Sequence, residues 1–220
     1  MTLDGQEPKT GTHNLLKNKE LYLIMTLNEF YQGKGVQHFE GHSGESTGET
    51  EFLKNVVKGE GIVNVMEIGF NAGHSADTML SSNPAINLTS FDLGNHEYSK
   101  FGKEYIDQKY PGRHTLINGD SRETVPKFIN KNNKKFDLIF VDGGHEGDIP
   151  FRDMQNVMML AHKDTIVILD DVRKMPPIYP WNIEPNRVWH TFKARGLVQE
   201  LEQHDYEPRH GLVSGKFCIQ

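Results

Sequence analysis

An α/β fold built on a mostly parallel sheet is predicted for this chain of 220 residues by three features. Short apolar runs alternate with amphipathic stretches, a glycine-bearing turn follows the first run, and an acid stands at or just beyond the end of each of the first five runs. Residues 1–12 are polar and are expected to fray, after which Leu23, Leu27, Phe30 and Tyr31 recur at helical spacing. The stretch from Gly33 to Gly48 carries five glycines among Ser, His and Glu, a composition that predicts a mobile loop. Ser46-x-x-Glu49 is a capping-box pattern and opens a short helix that packs through Phe52, Leu53, Val56 and Val57. The strands follow as Val63–Ile68, Ile86–Phe91, His114–Ile117, Phe136–Val141 and Thr165–Leu169. Met154, Val157, Met158 and Ala161 stand at i, i+3, i+4 and i+7, which predicts a crossover helix with one face on the sheet. Three prolines in Met175–Trp181 exclude regular structure there and predict a loop over the site. A helix near Pro185–Arg195 and two antiparallel strands, Val198–His204 and Gly211–Ile219, bring the strand count to seven.

Composition narrows the function classes. Hydrophobic residues make up 36% and charged residues 25% of the chain, with both signs interspersed, which fits a soluble globular protein. A net charge of -6 provides no basic field for DNA or RNA, so no nucleic-acid partner is expected. The lone Cys218 cannot form an internal disulfide, and no apolar run reaches the length of a membrane span or a signal-peptide core. The expected setting is cytoplasmic, with no membrane partner.

In an open α/β sheet, ligands bind at the carboxyl ends of the strands. The first strand ends in Glu67-Ile-Gly69-Phe70-Asn71-Ala-Gly73-His74-Ser75 and runs into a helix. A turn of this kind gathers backbone N–H groups at the positive end of the helix dipole, where an anionic part of a cofactor is favoured. Asp92 ends the second strand, Asp120 follows the third, Asp142 ends the fourth, and Asp170 with Asp171 ends the fifth. Each acid alone reads as an N-cap or turn residue; their joint occurrence points to a site. Asp142 and Asp170 are 28 positions apart, the length of one strand–helix–strand unit, so their strand ends should lie side by side. Carboxylates gathered in this way suit a hard divalent cation, Mg²⁺ before Mn²⁺ or Ca²⁺.

The spacing Glu67-x-Gly69-x-x-x-Gly73 resembles motif I of the class I S-adenosylmethionine-dependent methyltransferases. The block Asp142-Gly-Gly-His145, followed by Asp170-Asp171, resembles metal-dependent small-molecule O-methyltransferases, most closely the macrocin and mycinamicin sugar type. The catechol type usually ends this set with Asp-Asn. The resemblance implies a Rossmann-like seven-stranded sheet with helices on both faces and its last strand antiparallel. It also implies a methyltransferase domain over residues 51–220, with residues 1–50 as a cap. By the same resemblance, Glu67 and the turn residues Gly69, Phe70, Asn71 and Gly73 would hold the methionine moiety, with His74 and Ser75 at its carboxylate. His74 reads equally well as a surface residue of the first helical turn. Asp92 would accept the ribose hydroxyls, Asp120 and Ser121 would read the adenine edge, and Asp142 would touch the cofactor as well as the metal. Asp142, Asp170 and Asp171 would hold the metal and His145 would act as the base, although His145 also reads as a structural histidine.

Tyr179, Trp181, Trp189 and His190 lie in the segment expected to cover the acceptor, but aromatics beside prolines are more often loop anchors. The implied partner is a small hydroxylated acceptor. The amphipathic N-terminal helix serves as a lid or a homo-oligomer contact. Two other functions fit the same residues: a hydroxylase or pathway partner on the same scaffold, and a noncatalytic cofactor-binding module.

Overall fold

The structure is a computed structural model that describes residues 22, 24–39, 43–206 and 209–219. Predictions for residues 1–12, for Leu23 and for part of the Gly33–Gly48 stretch fall outside the described residues. Among the described residues the first complete helix, α1 (Leu27–Gly33), starts at a full capping box. Glu29 N donates to Thr26 Oγ1 at 3.2 Å, and Thr26 N donates to Glu29 Oε2 at 2.7 Å. Its buried Leu27, Phe30 and Tyr31 form the face that the helical spacing predicts.

Helix α2 (Thr47–Val57) follows, and then the alternating series β1 (Asn64–Ile68), α3 (His74–Ser82), β2 (Asn87–Asp92), α4 (Tyr98–Lys109), β3 (His114–Asn118), α5 (Ser121–Lys131), β4 (Phe136–Val141), α6 (Ile149–Met158) and β5 (Ala161–Asp170). Helix α7 (Ile183–Ala194) leads to β6 (Val198–Tyr206) and β7 (His210–Phe217). The seven strands form one sheet in the order β3-β2-β1-β4-β5-β7-β6. Pairing is parallel from β3 through β5, and β7 runs antiparallel to both β5 and β6. This is the mostly parallel sheet, last strand antiparallel, that the sequence predicts.

Side-chain alternation divides the core into two layers. Val65, Leu138, Phe140 and Ile168 face one side with Leu53, Val57, Met79 and Tyr105 of the first helices. Met66, Ile139, Val141, Val167 and Leu169 face the other with Val125, Met154, Val157, Val188 and Phe192. Burial on both faces is why the central strands read as unbroken apolar runs.

Most element ends differ from the sequence reading by one or two residues. The proline-rich segment closes in a short 3-10 helix at Pro180–Asn182 rather than staying irregular, and the largest difference is at the start of β5. Helix α6 ends at Met158, and Ala161 belongs to β5, paired with Phe136. Thr165 Oγ1 accepts from His162 N at 2.8 Å and donates to the Phe136 carbonyl at 2.6 Å, which stabilises an irregular register where helical spacing alone continues the helix. Among the described residues, no helix is long and apolar enough to cross a membrane.

Candidate active site

The switch point between β1 and β4 sits above a cavity of about 680 Å³ at the carboxyl ends of the strands. Leaving β1, the chain takes positive φ at Gly69 (99°), Asn71 (48°) and Gly73 (86°). At Gly69 any side chain is excluded, because a Cβ would lie 1.8 Å from the Asp142 carbonyl oxygen. The β1 turn and the β4 end are therefore in direct contact. Gly73 precedes α3 and gives it no side-chain cap, and the helix start carries the positive end of the helix dipole, which favours an anion.

Asp92, ending β2, accepts from Asn71 N through Oδ2 and from Gly94 N through Oδ1, both at 2.8 Å. Each oxygen keeps a second lone pair for a hydroxyl. Glu67 is directed elsewhere. It is fully buried and accepts Ser75 Oγ at 2.8 Å and Ser90 Oγ at 2.6 Å. Burial pushes its carboxyl up to about 7 despite those two hydroxyl donors. Ser90 Oγ also lies 2.8 Å from His114 Nε2, and burial followed by the Lys103 charge lowers that imidazole to about 3.

Asp120 caps α5 by accepting Arg122 N at 2.9 Å. The Arg122 guanidinium grips the same carboxylate at 2.6 Å and holds it below its usual range. His74 turns toward α1, with Nε2 2.9 Å from Asn28 Oδ1. Of the predicted residues, Gly69, Asn71, Asp92, Asp120, Ser121, Asp142, His145, Asp170 and Asp171 line the cavity, whereas Glu67, Phe70, Gly73, His74 and Ser75 are not in its lining.

At the other end of the cavity, β4 and β5 deliver the remaining acids. Asp171 has φ of 59° and is fixed by Asn182 Nδ2, which donates to its carbonyl at 3.0 Å and to Oδ1 at 3.3 Å. Asp171 Oδ2 lies 2.6 Å from His145 Nε2. Burial alone lowers the His145 pKa, but the Asp171 carboxylate outweighs burial and the ring is raised above its ordinary value. Burial and the Asp171 charge push Asp170 up to about 8, and burial with the Asp170 charge holds Asp142 well above the carboxylate range.

Ligand atoms of Asp142, His145 and Asp171 all lie within 4.8 Å of one another. Asp170 is instead hydrogen-bonded to Asp142, and its Oδ1 is buried with no hydrogen-bond partner among the described residues. Two acids forced toward neutrality, an orphaned carboxylate oxygen and a compact oxygen and nitrogen donor set fit a divalent cation.

Several cavity residues were not predicted as site residues. Glu49 of α2, His210 of β7 and Arg209 all line the cavity. The Ser46-x-x-Glu49 pattern was the only sequence signal at Glu49, and it reported the cap alone. Trp181, weighed in the sequence as a loop anchor, is also in the cavity wall, stacked on Tyr179 with ring centroids 4.7 Å apart. Trp189 is instead a core residue, fully buried and donating from Nε1 to Glu200 at 2.7 Å.

Residues 66–172 match the protein family described as a methyltransferase domain. No curated protein sequence matches the chain. Solved structures share the fold at low identity. An O-methyltransferase from Bacillus cereus in complex with SAH is 16% identical with a TM-score of 0.66, covering 91% of this chain and 97% of its own. The O-methyltransferase TomG from Streptomyces achromogenes, in complex with SAM, is 13% identical with a TM-score of 0.67, covering 96% and 99%. The SAH-bound methyltransferase PaMTH1 from Podospora anserina is 15% identical with a TM-score of 0.69, covering 99% and 100%. The segment from Met66 to Val172, which carries Asp92, Asp142, His145, Asp170 and Asp171, thus matches the methyltransferase-domain family and lies on a sheet that these solved structures share.

Proposed function

We propose that the protein is an S-adenosylmethionine-dependent, divalent-metal-dependent O-methyltransferase acting on a hydroxyl of a small molecule of the sugar or natural-product type. The observation that carries this reading is the placement in one cavity of Asp92 at the β2 end and of Asp142, His145 and Asp171 at the β4 and β5 ends. A diol-accepting carboxylate and a cation-accepting donor set face the same space. The neighbours with SAH or SAM bound support the choice of cofactor. Residues 1–50 act as a cap and residues 51–220 as the catalytic domain, with α2 straddling that boundary.

Methyl transfer to oxygen is an in-line displacement in which a C–O bond forms as the S–C bond breaks, and the hydroxyl proton must leave. S-adenosylmethionine supplies the electrophilic methyl group, and a divalent cation lowers the pKa of an oxygen it holds. Asp92 accepts the ribose hydroxyls through the lone pairs left free by Asn71 and Gly94. The positive end of the α3 dipole would favour the methionine carboxylate on its side of the cavity. Asp120 and Ser121 edge the adenine side, with Arg122 clamping Asp120 in place. Asp142 and Asp171 would hold the cation, with Asp170 supporting them through its hydrogen bond to Asp142. His145 Nε2 faces Asp171 Oδ2 at 2.6 Å, so the ring would take the acceptor proton at its other nitrogen, Nδ1, with Asp171 stabilising the imidazolium. Trp181 and Tyr179 offer an aromatic wall to the acceptor ring.

The test is titration calorimetry with S-adenosylmethionine, followed by mass-spectrometric assay of a panel of hydroxylated sugars and phenols with Mg²⁺ or EDTA. The expected result is cofactor binding and a one-methyl mass gain that EDTA abolishes and added Mg²⁺ restores. Full transfer in EDTA would remove the metal from the reaction, and absence of cofactor binding would remove the reading.

A further inference from the structure

Glu49 has no place in the mechanism above and lies outside the segment that matches the methyltransferase domain. It sits in the first turn of α2, where its backbone N–H is capped by Ser46 Oγ at 3.2 Å. In a capping box its carboxylate would turn back to the Ser46 N–H. Here it turns inward, is 1% exposed, and has both oxygens buried with no hydrogen bond from any described residue. The nearest basic group is His210 Nδ1 at 3.5 Å, and Glu49 lines the same cavity as Asp142, Asp170 and Asp171. Burying a carboxylate among other carboxylates costs several kcal/mol unless a positive charge is available. A polar side chain kept there, unbonded and aimed into the cavity, marks the missing partner as a cation.

We propose that Glu49 belongs to the binding sphere of the cation: helix α2 brings it to the cavity that Asp142, Asp170 and Asp171 line and supplies the carboxylate that sets the affinity for the ion. Glu49 is not among the three residues whose ligand atoms cluster within 4.8 Å. It therefore acts from the outer part of that sphere, through a water or an oxygen the ion holds. The site then depends on a residue more than a hundred positions away from Asp170 in sequence, and it forms only when α2 is docked. This inference rests on the metal-dependent reading above.

Its test uses Mn²⁺ alone, with binding followed by electron paramagnetic resonance on the full chain. Wild type should bind saturably, and Asp171→Asn should abolish that binding. Glu49→Gln, which keeps the shape and removes the charge, should raise the Kd for Mn²⁺ on the order of tenfold, with Glu49→Asp intermediate. Glu45→Gln removes a charge from the exposed rim, where Glu45 lies 3.9 Å from Arg209, and should change the Kd less than about twofold. Without metal, Glu49→Gln should melt at or above the wild-type temperature, because a buried like charge is gone. A purely structural role would give the reverse: lower metal-free stability with unchanged Mn²⁺ affinity. If Glu49→Gln and Glu49→Asp both keep the wild-type Kd while Asp171→Asn loses binding, the inference fails and the metal reading stands. If wild type itself binds no Mn²⁺, both fail.

Discussion

Replacing Glu67 by Gln tests how the protein holds a buried acid directly beneath the glycine turn that follows β1. In the folded protein this carboxyl titrates at about 7, against 4.5 for an unperturbed one, chiefly because it is fully buried. The fold therefore binds the Glu67 proton more tightly than the unfolded chain does. The contribution to stability is complete below about pH 4.5 and is lost as pH rises through about 7. The gap between the two values corresponds to about 3 kcal/mol.

Gln fits the same space but reverses one polarity. Its Oε1 accepts one hydroxyl while its Nε2 donates to the other, so Ser90 Oγ becomes an acceptor from Gln and turns its own proton toward His114 Nε2, 2.8 Å away. His114 is held neutral at physiological pH by its depressed pKa and accommodates this by a change of tautomer. Urea unfolding of wild type and Glu67→Gln at about pH 5 and pH 8 measures the effect. The variant should gain about 3 kcal/mol relative to wild type between the two conditions. A stability difference that stays constant across that range would show that Glu67 is ionised in the fold and that the burial argument is wrong.

Two further perturbations probe the turn. Gly69→Ala places a methyl against the Asp142 carbonyl at a φ of 99° and should cost about 3 kcal/mol or more, read as a lowered urea midpoint; wild-type stability would mean that β1 and β4 do not meet as described. Asp92→Ala leaves Asn71 N and Gly94 N without their acceptor and removes the proposed ribose contact. Affinity for S-adenosylmethionine should fall on the order of 100-fold by calorimetry, and unchanged affinity would displace Asp92 from the cofactor site.

The parallel half of the sheet is legible in the sequence because burial on both faces leaves a local signature. Phe136–Val141 was predicted at its observed bounds, and the other parallel strands up to β3 to within a residue at either end. The β5 start was not legible: an apolar residue at i+7 continues a helix on paper, whereas the Thr165 bridge to Phe136 is a contact across strands. In the site, acids at strand ends are visible as residue types, but where they point is decided by alternation. Glu67 lies on the Val65 face of β1, beneath α3 where Ser75 meets it, and is not in the cavity lining. Asp92, one strand over, ends its strand in the loop and reaches the cavity. Glu49 was invisible for a different reason. Its local pattern is explained by the Ser46 cap, and only tertiary docking of α2 shows that its carboxylate faces the acids of β5.

The placement of β7 between β5 and β6 has a consequence for biosynthesis. Strand β5 is complete at Asp170, but its outer edge finds a partner only when residues 210–217 have been made, since β6 pairs with β7 and not with β5. Until then a nascent chain carries an open, apolar edge, the kind of surface on which chains pair with one another. Asp170 is itself in register with Leu212. Closing that edge and fixing the acid pair are thus one event, and a chain released before β7 would both expose its sticky edge and leave Asp170 without its register partner.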